Sequence, residues 1–132
     1  LVFPIHPRTK DRIQRFGLED RLAGAPKIIQ LSAQGYLDFL TLTSQASVIV
    51  TDSGGLQEES TTLGVPCLTM RSNTERPITV DEGTSTLVGN DATLLEQLLQ
   101  DVLRGTYKTG TRPDTWDGNA AKRIAALLVE NH

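Results

Sequence analysis

Residues 47–59 read SVIVTDSGGLQEE, and this stretch decides the fold. The apolar residues 48–50 predict a buried strand, and the Gly-Gly pair followed by Leu56 predicts a helix that begins directly after it. A strand that leads through a glycine turn into a helix is typical of a parallel α/β sheet, which places its ligands at the carboxyl ends of its strands. The stretch therefore predicts both a fold class and the position of a site.

The start of this helix is suited to bind a phosphate group. The first N–H groups of a helix have no partner within it, and the helix dipole leaves partial positive charge there. Gly54 and Gly55 have no Cβ atoms that would hold phosphate oxygens away from those donors. Ser53 adds a hydroxyl, either as a further donor or as the cap of the helix. A single Gly-Gly turn is a weak signal, and a capped helix with acidic residues that only suit the dipole explains it equally well.

Two further polar features belong to the same predicted sheet edge. Glu59, four residues after Gly55, shares a face with the helix start, and its carboxylate can accept hydrogen bonds from the two hydroxyls of a ribose. The loop after the next strand carries Arg71 and Arg76, whose guanidinium groups can pair with phosphate oxygens. For this loop alone, the alternative is an exposed Glu-Arg pair without a ligand. The two loops together favour a nucleoside diphosphate.

Along the rest of the chain, short apolar runs alternate with helical patterns, as they do in βαβ units. The predicted strands are 1–5, 27–31, 47–51, 66–70 and 85–88, and their apolar character favours a parallel sheet covered on both faces. The predicted helices are 9–16, 36–45, 55–63, 92–103 and 119–130, with a polar linker over 105–118. We expect one Rossmann-like domain over residues 1–132, with three αβα layers around a mainly parallel sheet.

The composition narrows the class of protein. A chain of 132 residues with 38% hydrophobic and 22% charged residues suits one globular domain. The net charge of −3, without a Lys/Arg cluster, argues against nucleic acid as a partner. Because no apolar run is long enough to span a bilayer and no leader is evident, we expect a cytoplasmic protein without a membrane partner. Cys67 is the one cysteine, which excludes an internal disulfide and a cysteine-rich zinc site.

Five blocks of the sequence resemble the UDP-N-acetylglucosamine 2-epimerase family in order and in spacing. They are YLDFL at 36–40, TDSGGLQEE at 51–59, LGVP at 63–66, NTERP at 73–77 and the stretch 83–89. The pair DSGGLQEE and NTERP is far more specific than either turn alone. The resemblance covers nearly the whole chain but corresponds to the carboxyl-terminal half of the family. Since the chain also begins on an apolar strand without an initiator Met, we expect a fragment that lacks the amino-terminal half.

The resemblance implies a fold and a set of contacts. The family is similar to GT-B glycosyltransferases, in which two Rossmann-like domains face each other across a cleft and the second holds most of the nucleotide. Residues 53–55 would contact the diphosphate, Glu59 the ribose hydroxyls, and Arg76 the phosphate or the sugar. Phe39 would lie against the uracil, and its alternative is a core aromatic on an amphipathic helix.

His6 follows the first predicted strand and matches the histidine of the family's Pro-Ile/Val-His element. In some bacterial members that element helps to bind a second, regulatory UDP-sugar. Here Pro7-Arg8-Thr9 replaces the Asn-Pro pattern of those members, and the sequence leaves open whether the second, regulatory site exists. We expect His6 to face the cleft and contact a ligand; the alternative is a histidine bonded to the backbone. His132, at the end of the chain, is expected to be solvated.

The family's reaction, as the resemblance implies, inverts C2 of the sugar by anti elimination of UDP and re-addition from the other face. It needs no NAD, no other cofactor and no metal. The helix start and Arg76 would stabilise the departing diphosphate, whereas the general bases belong to the amino-terminal half. We therefore predict an isomerase of cell-surface polysaccharide biosynthesis as the full-length protein, and no activity for these 132 residues alone.

Two other functions stay open at this stage. A GT-B glycosyltransferase donor-binding domain would use the same helix start and carboxylate, although the NTERP block disfavours it. A non-catalytic nucleotide-sugar-binding domain is favoured if no amino-terminal half exists. The sugar, N-acetylglucosamine or a related one carried on UDP, is open as well, and so is assembly into a homodimer.

Overall fold

The computed structural model describes residues 1–130, so the expectation for His132 falls outside the described residues. The chain divides into two compact units, Leu1–Leu42 and Thr43–His132. Each unit contains its own parallel sheet, of two and three strands respectively. The predicted parallel α/β class is thereby confirmed.

The first unit is a strand–helix–strand arrangement. It contains β1 (Val2–Pro4), α1 (Pro7–Arg15), α2 (Glu19–Ala23) and β2 (Ile29–Leu31), and α3 (Tyr36–Ser44) runs across its boundary. The two strands pair in parallel, with Phe3 opposite Gln30. Val2 and Ile29 are 43% and 58% exposed, so the expectation of strands covered on both faces does not hold for this sheet. The short helix α2 was not predicted.

The second unit carries the core. It contains β3 (Ile49–Thr51), α4 (Gly54–Leu63), β4 (Cys67–Thr69), α5 (Pro77–Asp81), β5 (Ser85–Leu87), α6 (Ala92–Arg104) and α7 (Ala120–Glu130). The central strand β4 pairs in parallel with β3 and β5, which sets Ile49, Cys67 and Ser85 side by side. All three residues of β4 are buried, and α4 packs on this sheet. Each strand is shorter than predicted, and α5 replaces part of a predicted loop.

The segment 105–118 has no regular structure, yet it packs closely against the sheet. A Cβ atom on Gly110 would lie within 2.6 Å of the Thr84 backbone nitrogen, so only glycine allows these two backbone segments to approach this closely. The Tyr107 hydroxyl lies 2.7 Å from Thr86 Oγ1 and donates to the Thr84 carbonyl at 2.9 Å. The predicted polar linker is therefore part of the packed unit.

The two long carboxyl-terminal helices are less buried than their apolar patterns suggest. On α6, apolar residues recur at helical spacing; Leu103 is 72% exposed, and the others are half-buried: Leu94, Leu95, Leu98, Leu99 and Val102. On α7, Ile124, Leu128 and Val129 are exposed.

Asp117 fixes the start of α7, because its carboxylate accepts from the Asn119 N–H at 2.9 Å and pairs with Arg123. These bonds hold the pKa of Asp117 well below its ordinary range.

Among the helices of residues 1–130, none combines the length and the apolar character that a membrane span requires.

Candidate functional site

The turn between β3 and α4 forms the centre of the candidate site. Ser53 caps α4, since its Oγ accepts from the Leu56 N–H at 3.4 Å. The Ser53 N–H itself donates to Thr51 Oγ1 at 3.1 Å. Of the two predicted roles of Ser53, the structure shows the cap. A capping hydroxyl acts as an acceptor, so its proton is still available to a ligand.

Gly54 and Gly55 are not required by the fold. A Cβ atom on Gly54 would come no nearer than 3.9 Å to a protein atom, Glu75 Oε2, and one on Gly55 no nearer than 3.9 Å to Ser53 Oγ. Neither glycine has a positive φ angle. Within the described part of the chain, no protein atom accepts from their N–H groups. What the two glycines leave open is the space in front of unpaired helix amides, which is what an anion needs.

Two neighbouring carboxylates on α4 have different surroundings. Glu58 Oε1 lies 2.8 Å from Arg76 Nε, and both side chains are about two-fifths exposed, at 40% and 42%. The contact is an ion pair by distance only, because Arg76 Nε lacks hydrogen-bond geometry to any acceptor. Glu59 is half-buried, and its carboxylate has neither a hydrogen bond nor an ion pair with any residue in 1–130. Of the two carboxylates, the one predicted to bind ribose is thus the one without a protein partner.

The loop after β4 holds a second ion pair. Arg71 donates two hydrogen bonds to Glu75, with Nη1 2.9 Å from Oε2 and Nη2 2.8 Å from Oε1. These bonds lower the pKa of Glu75 and raise that of Arg71, which Asp52 also raises through its charge. The exposed Glu-Arg pair considered for this loop therefore exists. Arg76 is the other arginine, and its Nη1 donates to the Glu75 carbonyl at 3.4 Å.

Gln57 is a buried polar residue that the sequence analysis did not single out. Its side chain is fully buried, and its Oε1 accepts a hydrogen bond of 2.8 Å from Thr74 Oγ1. Its Nε2 donates to the Ser53 carbonyl at 3.4 Å. Gln57 shares its face of α4 with the buried residues Ser60 and Thr61, a spacing of three and four residues that marks one helix face. That spacing was the signal in the sequence, hidden by the polarity of the residues.

The remaining predicted residues, His6 and Phe39, belong to the first unit, whereas residues 53–76 of the site belong to the second. His6 is exposed and caps α1, because its Nδ1 accepts from the Arg8 N–H at 3.2 Å. A neutral imidazole that accepts at Nδ1 carries its proton on Nε2, which is free to donate. Phe39 is half-buried on α3. Their ligand contacts stay predictions.

A hollow lies beside the loop after β4. Its volume is about 280 Å³, and it is lined by Met70, Arg71, Ser72, Asn73, Gly89 and Asn90. These residues follow β4 and β5, so the hollow lies at the carboxyl ends of two parallel strands, where α/β sheets bind their ligands. A second cavity, of about 230 Å³, lies at the opposite edge of the sheet near Pro66 and Thr84. Of the predicted site residues of this unit, Arg71 lines the first hollow, whereas Ser53, Gly54, Gly55, Glu59 and Arg76 line neither.

Comparison with known proteins finds matches to one family. The family described as UDP-N-acetylglucosamine 2-epimerase matches residues 1–129. A UDP-N-acetylglucosamine 2-epimerase of Methanocaldococcus jannaschii is 42% identical over 129 residues, a match that covers 98% of this chain and 35% of the relative. One from Escherichia coli K12 is 36% identical over 140 residues, covering 99% and 35%. The chain thus spans about a third of the length of the curated relatives it matches.

Solved structures agree with these relatives. The M. jannaschii enzyme in complex with UDP-GlcNAc and UDP superposes with a TM-score of 0.83 at 41% identity, over 98% of this chain and 35% of that protein. A Neisseria meningitidis UDP-GlcNAc 2-epimerase bound to UDP-GlcNAc gives a TM-score of 0.73 at 31% identity, over 98% and 36%.

Proposed function

The chain belongs to the UDP-N-acetylglucosamine 2-epimerase family, and we propose that it is the UDP-sugar-binding part of such an isomerase. Its fold is that of the matching portion of GT-B-like epimerases. Because the match covers only about 35% of those proteins, we propose that the chain lies within their carboxyl-terminal half and that an amino-terminal half completes the cleft. The predicted single domain over residues 1–132 remains part of this proposal.

One observation supports UDP binding above the others. Gly54 and Gly55 present unpaired N–H groups at the start of α4, although neither backbone geometry nor packing within residues 1–130 requires glycine there. A diphosphate would supply the missing acceptors, and the positive end of the helix dipole would favour its charge. The hydroxyl proton of Ser53 adds one more donor beside them.

The other groups fit the remaining parts of a UDP-sugar. Glu59, half-buried and without a partner in the described chain, would accept hydrogen bonds from the ribose hydroxyls. Arg76 contacts Glu58 through Nε and the Glu75 carbonyl through Nη1, so Nη2 is left to bind a phosphate or sugar oxygen. His6 and Phe39 remain proposed ligand contacts.

In the proposed reaction this part of the protein stabilises the leaving group. Elimination of UDP develops negative charge on the diphosphate, which the fixed helix amides and Arg76 would stabilise without reorganising. Removal of the C2 proton needs general bases, which we assign to the amino-terminal half. UDP-N-acetylglucosamine is the proposed substrate, since two similar structures are described as complexes with it. The cytoplasmic location and the homodimer stay predictions.

Calorimetric titration with UDP, uridine and inorganic phosphate tests this function directly. We expect the chain to bind UDP more tightly than either fragment, because the helix start and Glu59 would then act on one ligand. We also expect UDP-N-acetylglucosamine to be epimerised by the full-length protein but not by the 132 residues alone. Equal affinities for UDP and uridine would contradict the phosphate site, and turnover by the isolated chain would contradict the division of the chemistry.

A further inference from the structure

We propose that Gln57 is a positioning residue that fixes Arg76 relative to the phosphate-binding start of α4. The inference rests on the proposed UDP site. Gln57 is fully buried, and a buried primary amide is retained only where its donors and acceptor are used. Its partners belong to the two segments that carry the candidate site, the turn before α4 and the loop before α5.

A continuous series of hydrogen bonds joins these segments. The Arg76 N–H donates to Thr74 Oγ1 at 3.0 Å, and the Thr74 hydroxyl donates in turn to Gln57 Oε1 at 2.8 Å. Gln57 Nε2 then donates to the carbonyl of Ser53, the cap of α4, at 3.4 Å. Every hydrogen in the series has a fixed direction, because Thr74 accepts from a backbone amide and therefore gives its own proton to Gln57.

The carbonyl side of Arg76 is held as well. Thr79 Oγ1 donates to the Arg76 carbonyl at 2.7 Å, and the Thr79 N–H donates to the same oxygen at 3.0 Å. Thr79 is fully buried, and its hydroxyl also lies 3.4 Å from Gln57 Oε1. The N–H and carbonyl groups of Arg76 are thus bound by Thr74 and Thr79, whose hydroxyl groups both lie beside Gln57 Oε1, while the guanidinium extends to Glu58 at the surface.

This arrangement explains why a fully buried amide lies next to a binding site. Arg76 is the residue before α5, its side chain does not cap the helix, and Pro77 after it has no N–H group to donate. Without the threonine–glutamine series, the backbone of Arg76 would be free to shift relative to α4. In a reacting complex, a misplacement of about 1 Å can cost about a hundredfold in rate.

Substitution of Thr74 tests the series without removing the glutamine. Thr74→Val keeps the shape but removes the hydroxyl, and we expect it to weaken UDP binding about tenfold while uridine binding is unchanged, as for one lost hydrogen bond. Thr74→Ser keeps the hydroxyl and should restore UDP affinity to within about twofold. In an Arg76→Ala background, Thr74→Val should have no further effect, because the residue it positions is gone. Thr86→Val removes a hydroxyl at Tyr107 and is the matched control.

The outcomes separate this inference from the proposed function. Equal losses of UDP and uridine affinity in Thr74→Val would show a general structural role and overturn the inference. So would a loss that persists in the Arg76→Ala background, or failure of Thr74→Ser to restore binding. If the unmodified chain does not prefer UDP to uridine, the proposed UDP site itself is wrong.

Discussion

Arg76 Nε lies 2.8 Å from Glu58 Oε1, whereas the next carboxylate along α4, that of Glu59, has no partner in the described chain. The two adjacent carboxylates should therefore affect a bound nucleotide differently. The Glu58 carboxylate competes with a bound anion for the Arg76 guanidinium, whereas the Glu59 carboxylate is available to accept hydrogen bonds from the ligand. The same change of charge at the two positions should have effects of opposite sign.

We expect Glu58→Gln to strengthen UDP binding by about threefold. The amide oxygen can still lie against Arg76, but the negative charge that competes with the diphosphate is lost, and such half-exposed pairs contribute roughly 0–1 kcal/mol. Calorimetry at two salt concentrations measures the effect, which should shrink at higher salt because it is electrostatic. Weaker binding in this variant would mean that the charge of Glu58 is needed to hold Arg76 in place.

Glu59→Gln is expected to weaken UDP binding about tenfold, since hydrogen bonds to a charged acceptor contribute roughly 1.5–3 kcal/mol. The variant should also lose the preference for UDP over 2′-deoxy-UDP, because the carboxylate is proposed to accept from the ribose hydroxyls. Glu96→Gln on the exposed side of α6 makes the same charge change away from the site. An unaltered preference in Glu59→Gln would exclude the ribose contact.

Gly54→Ala should weaken UDP binding strongly without lowering stability. The added methyl group meets no protein atom within 3.9 Å, but it lies in the space in front of the helix amides. Gly83→Ala is the opposite case, since its Cβ would lie 2.6 Å from the Thr79 carbonyl oxygen. Overpacking of that kind costs about 1–3 kcal/mol of unfolding free energy. Thermal melting and UDP titration of both variants check the pair of expectations, and a destabilised Gly54→Ala would contradict the first.

Tyr107→Phe is expected to change how stability depends on alkaline pH. Burial raises the pKa of the Tyr107 phenol above its ordinary value of 10.0. The folded state therefore keeps a proton that the unfolded state loses, so the contribution is complete below pH 10 and decreases as the pH rises above it. Near neutral pH the variant should lose about 1 kcal/mol for its hydrogen bonds to Thr86 and the Thr84 carbonyl. The difference between the two proteins should then narrow above pH 10.

Chemical denaturation of both proteins between pH 8 and about pH 11 measures this difference, with the ordinary tyrosine pKa setting the window. The comparison is needed because Lys108 titrates nearby with the opposite sign: burial lowers the pKa of its ammonium group, which donates to the Val80 carbonyl at 2.7 Å. The other tyrosine, Tyr36, is 64% exposed, and because it is present in both proteins it does not contribute to their difference in stability. A constant difference across the range would show that the Tyr107 phenol ionises at its ordinary pKa.

The sequence predicted those strands and helices that are specified by patterns within their own segments. All five strands and five of the seven helices of residues 1–130 lie where apolar runs, a polar cap or a terminal glycine placed them. The two missed helices, α2 and α5, are five residues long, and one turn of helix is stable only when the rest of the fold holds it. Pro77, the first residue of α5, also reads as part of a loop, although proline suits that position.

The candidate site was predicted in its parts but not in its connections. Ser53 and the two glycines are recognisable because a helix start is a local feature. The role of Gln57 depends on Thr74 and Thr79, which lie 17 and 22 residues further along the chain. Gln57, Ser60 and Thr61 share one face of α4, but because all three are polar, only the tertiary structure shows that this face is buried.

Because the Cys67 thiol is buried, its rate of chemical modification can report local opening of the sheet. It is the chain's only cysteine, it lies in the central strand β4, and its side chain has no exposed surface. An alkylating reagent can reach Cys67 only when the elements packed around it open, and these include Leu56 on α4 as well as the neighbouring strand β3. Because this chain carries its thiol at a single natural position, coupling between the proposed nucleotide site and local opening of the sheet can be followed without introducing a label.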